Sequence, residues 1–168
     1  MIPSDQFVRF YNEVFKKLDQ FGGLEAYFLE ISRHQEMHCL KEFQEHGLKG
    51  VYNYYVNILR EENCDLDMDF RDGGLRLMMT RCPSLSKAID NDAGPSPKYC
   101  DHCPGWAMPL YRRAGLFEVY DLMGHENPQC CAWIFDDLEL AKKKYAELAA
   151  GRQPGEILTS FQNGGSAK

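Results

Sequence analysis

The sequence predicts an α+β fold: a four-stranded antiparallel sheet made of two hairpins, with helices packed on one face and a helical N-terminal third. Three observations predict it. Apolar residues recur at three- and four-residue steps from Phe7 to Leu59, which is the helical period. The period drops to two in Asp65-Leu66-Asp67-Met68-Asp69-Phe70, the alternation of a half-buried strand with one solvated acidic face. A second pair of strand-like runs, Leu116 to Met123 and Cys130 to Phe135, follows a further helical segment, and strands and helices interleaved in this way fit an antiparallel sheet with helices laid on it. The 168 residues suit one domain with its own core, and 44% apolar with 26% charged residues is ordinary for a globular chain. Residues 1–150 read as the domain and 151–168 as a polar tail.

The elements follow in order. Ser4 or Asp5 caps a first helix over residues 5–20, whose stripe is Phe7, Tyr11, Val14, Leu18 and Phe21, and Gly22-Gly23 ends it. The stripe is close to a heptad, so it serves either a homodimer or the domain's own sheet. A second helix runs from Leu24 to Glu45 with Tyr27, Ile31, His34 and His38 on one face, and His46-Gly47 closes it. A third, Leu48 to Glu61, carries Val51, Tyr52, Tyr55, Ile58 and Leu59. The strand at 65–70 turns through Arg71-Asp72-Gly73-Gly74 into Leu75–Arg81, which Cys82 and Pro83 terminate. Ser84 to Asp90 is a short helix, and Asn91 to Pro97 is loop by composition. Pro104 suits a first helical position, opening a helix that ends near Gly115. After the second hairpin, Asp136-Asp137 caps a last helix, Leu138 to Ala150.

Bulk properties narrow the function. A net charge of −6 argues against binding nucleic-acid phosphates. No apolar run approaches the roughly 18 residues of a membrane span, and Met1-Ile2-Pro3-Ser4-Asp5 lacks the features of a secretory signal. A cytoplasmic location is the expectation. Seven cysteines is an odd count, and cytosolic thiols stay reduced. The excess therefore points to metal binding or thiol chemistry rather than to a disulfide framework.

That chemistry centres on Lys98-Tyr99-Cys100-Asp101-His102-Cys103-Pro104-Gly105-Trp106. Cys100-x-x-Cys103 has the reach to place two sulfurs on one tetrahedral ion, with Cys82, Cys131, His38 and His34 as further candidate ligands and zinc as the candidate metal. The order His34-Gln35-Glu36-Met37-His38 misplaces the glutamate of a zinc-protease helix, which excludes that reading. Strand alternation sends Cys130 and Cys131 to opposite faces, so only one joins the site, and the Trp133 face selects Cys131. The second reading is a nucleophilic thiolate. Cys103 or Cys100 lies at a helix N-terminus, where the dipole lowers a thiol's pKa; His102 or His125 acts as base, and Asp101 or Glu126 orients it. Cys39 and Cys64 read as packing residues. A thioredoxin-like site is disfavoured, because the CxxC does not follow a strand in a βαβ unit.

The run Tyr99-Cys100-Asp101-His102-Cys103, a helix, Ala114-Gly115-Leu116-Phe117, a strand, then Cys130-Cys131-Ala132-Trp133-Ile134-Phe135 resembles the L-2-amino-thiazoline-4-carboxylic acid hydrolase family. Members of that family tend to have a cysteine pair before a helix, a Gly-aromatic strand start and a cysteine in a final strand. The resemblance covers roughly residues 80–136. The order of elements is also similar to the small-ligand-binding domains named after 4-vinyl reductase, some of which hold zinc with cysteines. The resemblance implies a pocket between helices and sheet, and hydrolysis of a C–N or C=N bond in a small ring such as a thiazoline. The alternative is a zinc-stabilised module that binds a small molecule without turning it over. His102 and the His34/His38 pair have no counterpart in the family pattern.

Overall fold

The computed structural model describes residues 5–62, 64–123 and 127–162. The first helix, α1 (Asp5–Gln20), has the expected span, but it is rotated from the expected stripe. Val8, Asn12 and Phe15 are buried, while Phe7, Phe10 and Tyr11 are 63%, 62% and 42% exposed. The cause is the partner it packs on. α1 lies against other helices, with the Phe15 ring set on Phe28 and Tyr99 at centroid distances of 5.3 and 5.7 Å. Buried Asn12 serves a polar purpose that apolar periodicity cannot register. Its Nδ2 donates to Gly94 O at 2.9 Å and its Oδ1 accepts from Ser96 N at 2.7 Å. Two hydrogen bonds thus anchor the loop that leads into the cysteine segment.

The helix expected from Leu24 to Glu45 is broken. α2 (Leu24–Arg33) stops at His34, a π-helical turn spans Glu36–Leu40, and α3 (Lys41–Glu62) begins at once. The stop expected at His46-Gly47 is a kink inside α3, where Gly47 takes φ +55°, a conformation that costs other residues dearly.

The hairpin β1 (Asp65–Arg71) and β2 (Gly74–Arg81) pairs Phe70 with Leu75 across a turn with positive φ at Asp72 and Gly73. Cys82 caps the next helix, α4 (Pro83–Ile89), with its Sγ accepting from Leu85 N at 3.4 Å. A 3₁₀ turn, Tyr99–Asp101, runs straight into α5 (His102–Arg113). β3 (Phe117–Asp121) and β4 (Cys130–Phe135) form the second hairpin, and Asp137 caps α6 (Leu138–Ala149) by accepting from Glu139 N and Leu140 N at 2.7 and 3.1 Å.

The sheet is antiparallel but has five strands, in the order β1-β2-β4-β3-β5. The additional strand, β5 (Ile157–Thr159), pairs with β3 and comes from the stretch that reads as a polar tail. Three residues are too few to show alternation, which is why the sequence hides it. Helices cover both faces of the sheet rather than one. Leu40, Phe43 and Val51 of the π turn and α3, with Leu110 and Tyr111 of α5, close over Leu75, Leu77, Tyr120, Ala132 and Ile134. On the opposite face Val119, Cys131, Trp133 and Phe135 pack against α6 through Ala141. A third cluster joins α1, α2 and α4 through Val8, Phe15, Phe28, Leu85 and Tyr99. A side chain as buried as Leu110 or Ile134, each 0% exposed, contributes about 2 kcal/mol by leaving water. Among the described residues no helix is long and apolar enough to cross a membrane.

Candidate functional site

The site forms where the start of α5 meets the inner face of the sheet. Gly105 permits this approach: a Cβ there would sit 2.6 Å from Phe28 Cδ2, so α5 presses on α2 as only a glycine allows. The preceding 3₁₀ turn buries Tyr99, whose hydroxyl hydrogen-bonds Ser84 Oγ at 2.6 Å. These contacts fix the backbone of Cys100, Asp101, His102 and Cys103.

His102 is held on both sides. Its Nδ1 hydrogen-bonds the Tyr99 carbonyl, and its Nε2 lies 3.3 Å from Cys103 Sγ. Its ring rests on Phe15 and Tyr99 at centroid distances of 5.6 and 5.2 Å. A carbonyl only accepts, so Nδ1 carries the hydrogen, and Nε2 of the neutral ring is left as an acceptor facing the Cys103 thiol. Burial holds the His102 pKa below its ordinary value, against smaller opposing pulls from the Tyr99 carbonyl and Asp101. The imidazole is therefore a neutral base beside a thiol.

The thiol departs from expectation. A helix N-terminus is expected to lower its pKa, but Cys103 is pushed up to about 12, by burial first and by Glu118 second, with the Tyr120 hydroxyl pulling the other way. Cys100 is likewise pushed up to about 12, chiefly by burial. Desolvation outweighs the dipole here. The resting pair is a neutral thiol and a neutral imidazole.

Strand alternation separates Cys130 from Cys131, as the sequence requires, but the face is the opposite one. Cys131 packs towards α6 with Trp133 and Phe135. Cys130 shares the inner face with Ala132 and Ile134 and accepts from the Tyr120 hydroxyl at 3.1 Å. Both faces of β4 are apolar, so composition could not say which of them meets α5. The thiols brought together are thus Cys82, Cys100, Cys103 and Cys130. Burial raises the pKa values of Cys82, Cys100 and Cys130, and a Cys103 anion would raise all three further by repulsion.

His34 and His38 lie elsewhere. His34 caps α2 and hydrogen-bonds Glu30 Oε1 at 3.0 Å; His38, in the π turn, faces the Tyr54 hydroxyl at 3.3 Å. The helix break between them removes the i, i+4 geometry that a shared ion needs. Cys39 and Cys64 are buried in the core, as expected. His125 and Glu126 lie outside the described residues. Among the described residues, no three His, Cys, Asp or Glu side chains stand in an arrangement that could hold a metal ion.

Sequence reasoning missed Glu118. It lies on β3 beneath α5 and is 1% exposed, and its Oε2 has no hydrogen-bond partner among the described residues. Burial raises its pKa well above the carboxylate range, which favours the protonated, neutral form. Its charge, when formed, would be felt by Tyr55, Tyr111, Tyr120 and Cys103. Tyr111 donates to the Tyr55 hydroxyl at 3.3 Å, which joins α5 to α3 above the carboxyl. A signal for this was present: Glu118 stands in Leu116-Phe117-Glu118-Val119-Tyr120, where apolar neighbours at both parities leave a carboxylate no solvated face.

The chain matches no protein-family model, no curated protein and no solved structure in comparisons with all three.

Proposed function

We propose that this chain is a small-molecule hydrolase that opens a C–N or C=N bond of a small cyclic substrate of thiazoline or amidine type, with Cys103 as nucleophile and His102 as its base. The observation that carries the reading is the 3.3 Å approach of Cys103 Sγ to His102 Nε2, with Nδ1 fixed on the Tyr99 carbonyl. Nucleophile, base and orienting group stand in the order that covalent catalysis uses. Sulfur bonds the C=N carbon as its proton passes to Nε2. The C=N electron pair moves onto nitrogen, which takes a proton from the Glu118 carboxyl. The tetrahedral carbon then collapses: the ring C–N bond breaks as its nitrogen takes the proton from His102, while the amidine's other nitrogen forms C=N and returns a proton to Glu118. Water adds to this carbon, giving a proton to His102 as the C=N nitrogen takes one from Glu118. The new hydroxyl returns that proton to Glu118 as C=O forms, and the C–S bond breaks with its pair on sulfur, which takes the proton from His102. The Tyr120 hydroxyl stabilises the sulfur anion at both ends of the cycle. A neutral acid, a neutral base and a thiol in one water-poor site supply opposite proton transfers at one pH. Reduced thiols also favour a cytoplasmic location.

The four gathered thiols favour a second reading, a ligand-binding module stabilised by zinc. Cys82, Cys100, Cys103 and Cys130 supply the soft donors zinc prefers, and the side chains would have to close in to reach it. Four protein ligands leave no open position, so such an ion would be structural and would withdraw Cys103 from catalysis. One experiment separates the two. Purified protein is assayed for metal content and for turnover of L-2-amino-thiazoline-4-carboxylic acid, together with Cys103→Ala, His102→Gln and Cys82→Ser. The hydrolase reading expects metal-free turnover, reduced about 10³-fold or more in C103A and about 10²-fold in H102Q, with C82S near wild type. Stoichiometric zinc that C82S removes, with no turnover, would overturn it in favour of the second reading.

A further inference from the structure

A cavity separate from the thiol site opens between the C-terminal ends of α2 and α5. It is lined by Leu29, Ser32, Arg33, Pro109, Arg112 and Arg113, and its volume is about 360 Å³. Arg112 stands nine residues along α5 from Cys103, about 13 Å at the rise of an α-helix. Three guanidiniums at one opening are exceptional in a chain of net charge −6. Two have acidic partners: Arg33 with Glu30 at 3.0 Å and Arg113 with Glu36 at 3.7 Å. Arg112 has no ion pair among the described residues.

Arginine in the last turn of a helix has an ordinary explanation, since it offsets the negative end of the dipole. That explanation accounts for the positions of the three but not for the cavity, nor for Ser32. Ser32 is 2% exposed, and its Oγ has no hydrogen-bond partner among the described residues. A serine inside a helix ordinarily returns its hydroxyl to a carbonyl one turn back. A buried hydroxyl left without a partner lowers stability, so a ligand that completes it would be favoured.

We propose that this cavity is an oxyanion site, built to take the phosphate or carboxylate group of a small molecule through Arg33, Arg112 and Arg113, with Ser32 as the buried polar partner. Guanidinium forks match two oxygens of such a group at once. The helix ends at this opening are the negative ones, so the dipoles oppose an anion and the arginines alone carry the attraction. Binding therefore depends steeply on each guanidinium and on ionic strength.

The test titrates inorganic phosphate into the full chain by calorimetry, with sodium chloride holding ionic strength constant. Saturable binding is expected, weakened about tenfold or more in Arg112→Ala, which removes one charged hydrogen-bonding group. Ser32→Ala is expected to weaken binding several-fold while raising the melting temperature in phosphate-free buffer, a pairing that a purely structural serine would not give. Malonate is expected to compete; if it binds more tightly than phosphate, the group recognised is a carboxylate. Cys103→Ala is expected to bind phosphate as wild type does, which keeps this result independent of the thiol chemistry. No saturable binding of phosphate or malonate, or equal binding by wild type, R112A and S32A, overturns the proposal.

Discussion

Glu118→Gln is expected to stabilise the fold at pH 8 and to change it little near pH 4.5. The fold holds this carboxyl in its neutral form, with a pKa well above the 4.5 of an ordinary glutamate. Below pH 4.5 the folded and unfolded chains both carry the proton, and Glu118 costs the fold nothing by ionisation. As pH rises, the unfolded chain releases its proton and the folded chain keeps it. Stability then falls by about 1.4 kcal/mol per pH unit until the folded pKa is passed. Glutamine reproduces the shape and donor of the neutral acid without that linkage, so the gain should widen with pH. Urea unfolding of both proteins at pH 4.5, 6 and 8 measures it. Parallel stability curves across that range would mean that Glu118 finds a partner or water in solution, and the neutral-acid assignment would fall. The same substitution removes the proposed proton donor, so turnover should drop as stability rises. Such opposition is the usual sign that a buried polar group is kept for chemistry.

The elements that alternate strongly were legible because pleat and burial share one period. The β1–β2 hairpin pairs as the sequence implies, and the acidic residues of Asp65-Leu66-Asp67 are the exposed ones. The site was legible in part. Cys82 and Cys100 are set near each other by α4 and the loop after it, which carry the chain from the end of β2 to the turn before α5. Three features depended on tertiary partners that no local pattern carries. Cys130 replaces Cys131 because both faces of β4 are buried, so parity divides the residues without naming the face. α1 turns Phe7 outward because it packs on α2 and α4 rather than on the sheet. Glu118 escaped notice because a lone glutamate in a strand is ordinarily a solvated one, and the apolar neighbours on both sides had to be weighed together.

Gly105→Ala should be destabilising by about 2 kcal/mol and should disable the site from a distance, although alanine is the better helix former. Replacing glycine inside a helix gains about 1 kcal/mol of propensity. Against this, the new methyl would lie 2.6, 3.0 and 3.1 Å from Cδ2, Cγ and Cβ of Phe28. The clash reaches the root of that side chain, so rotating the ring does not relieve it. Phe28 is 4% exposed and meets the Phe15 ring edge-on at 5.3 Å, which leaves it nowhere to retreat. Overpacking of this kind costs about 1–3 kcal/mol or more, and a contact at the helix backbone falls at the upper end. The strain must separate α2 from α5, and the first turn of α5 carries both Cys103 and His102, whose ring rests on Phe15. A shift of a few tenths of an ångström there lengthens the Sγ–Nε2 approach. A double-mutant cycle checks the mechanism: Phe28→Leu alone should cost about 1 kcal/mol, yet in the G105A background it should restore stability, a coupling that additive sites do not show. If the two losses simply add, the close approach at Gly105 is not what sets the geometry of the thiol–imidazole pair.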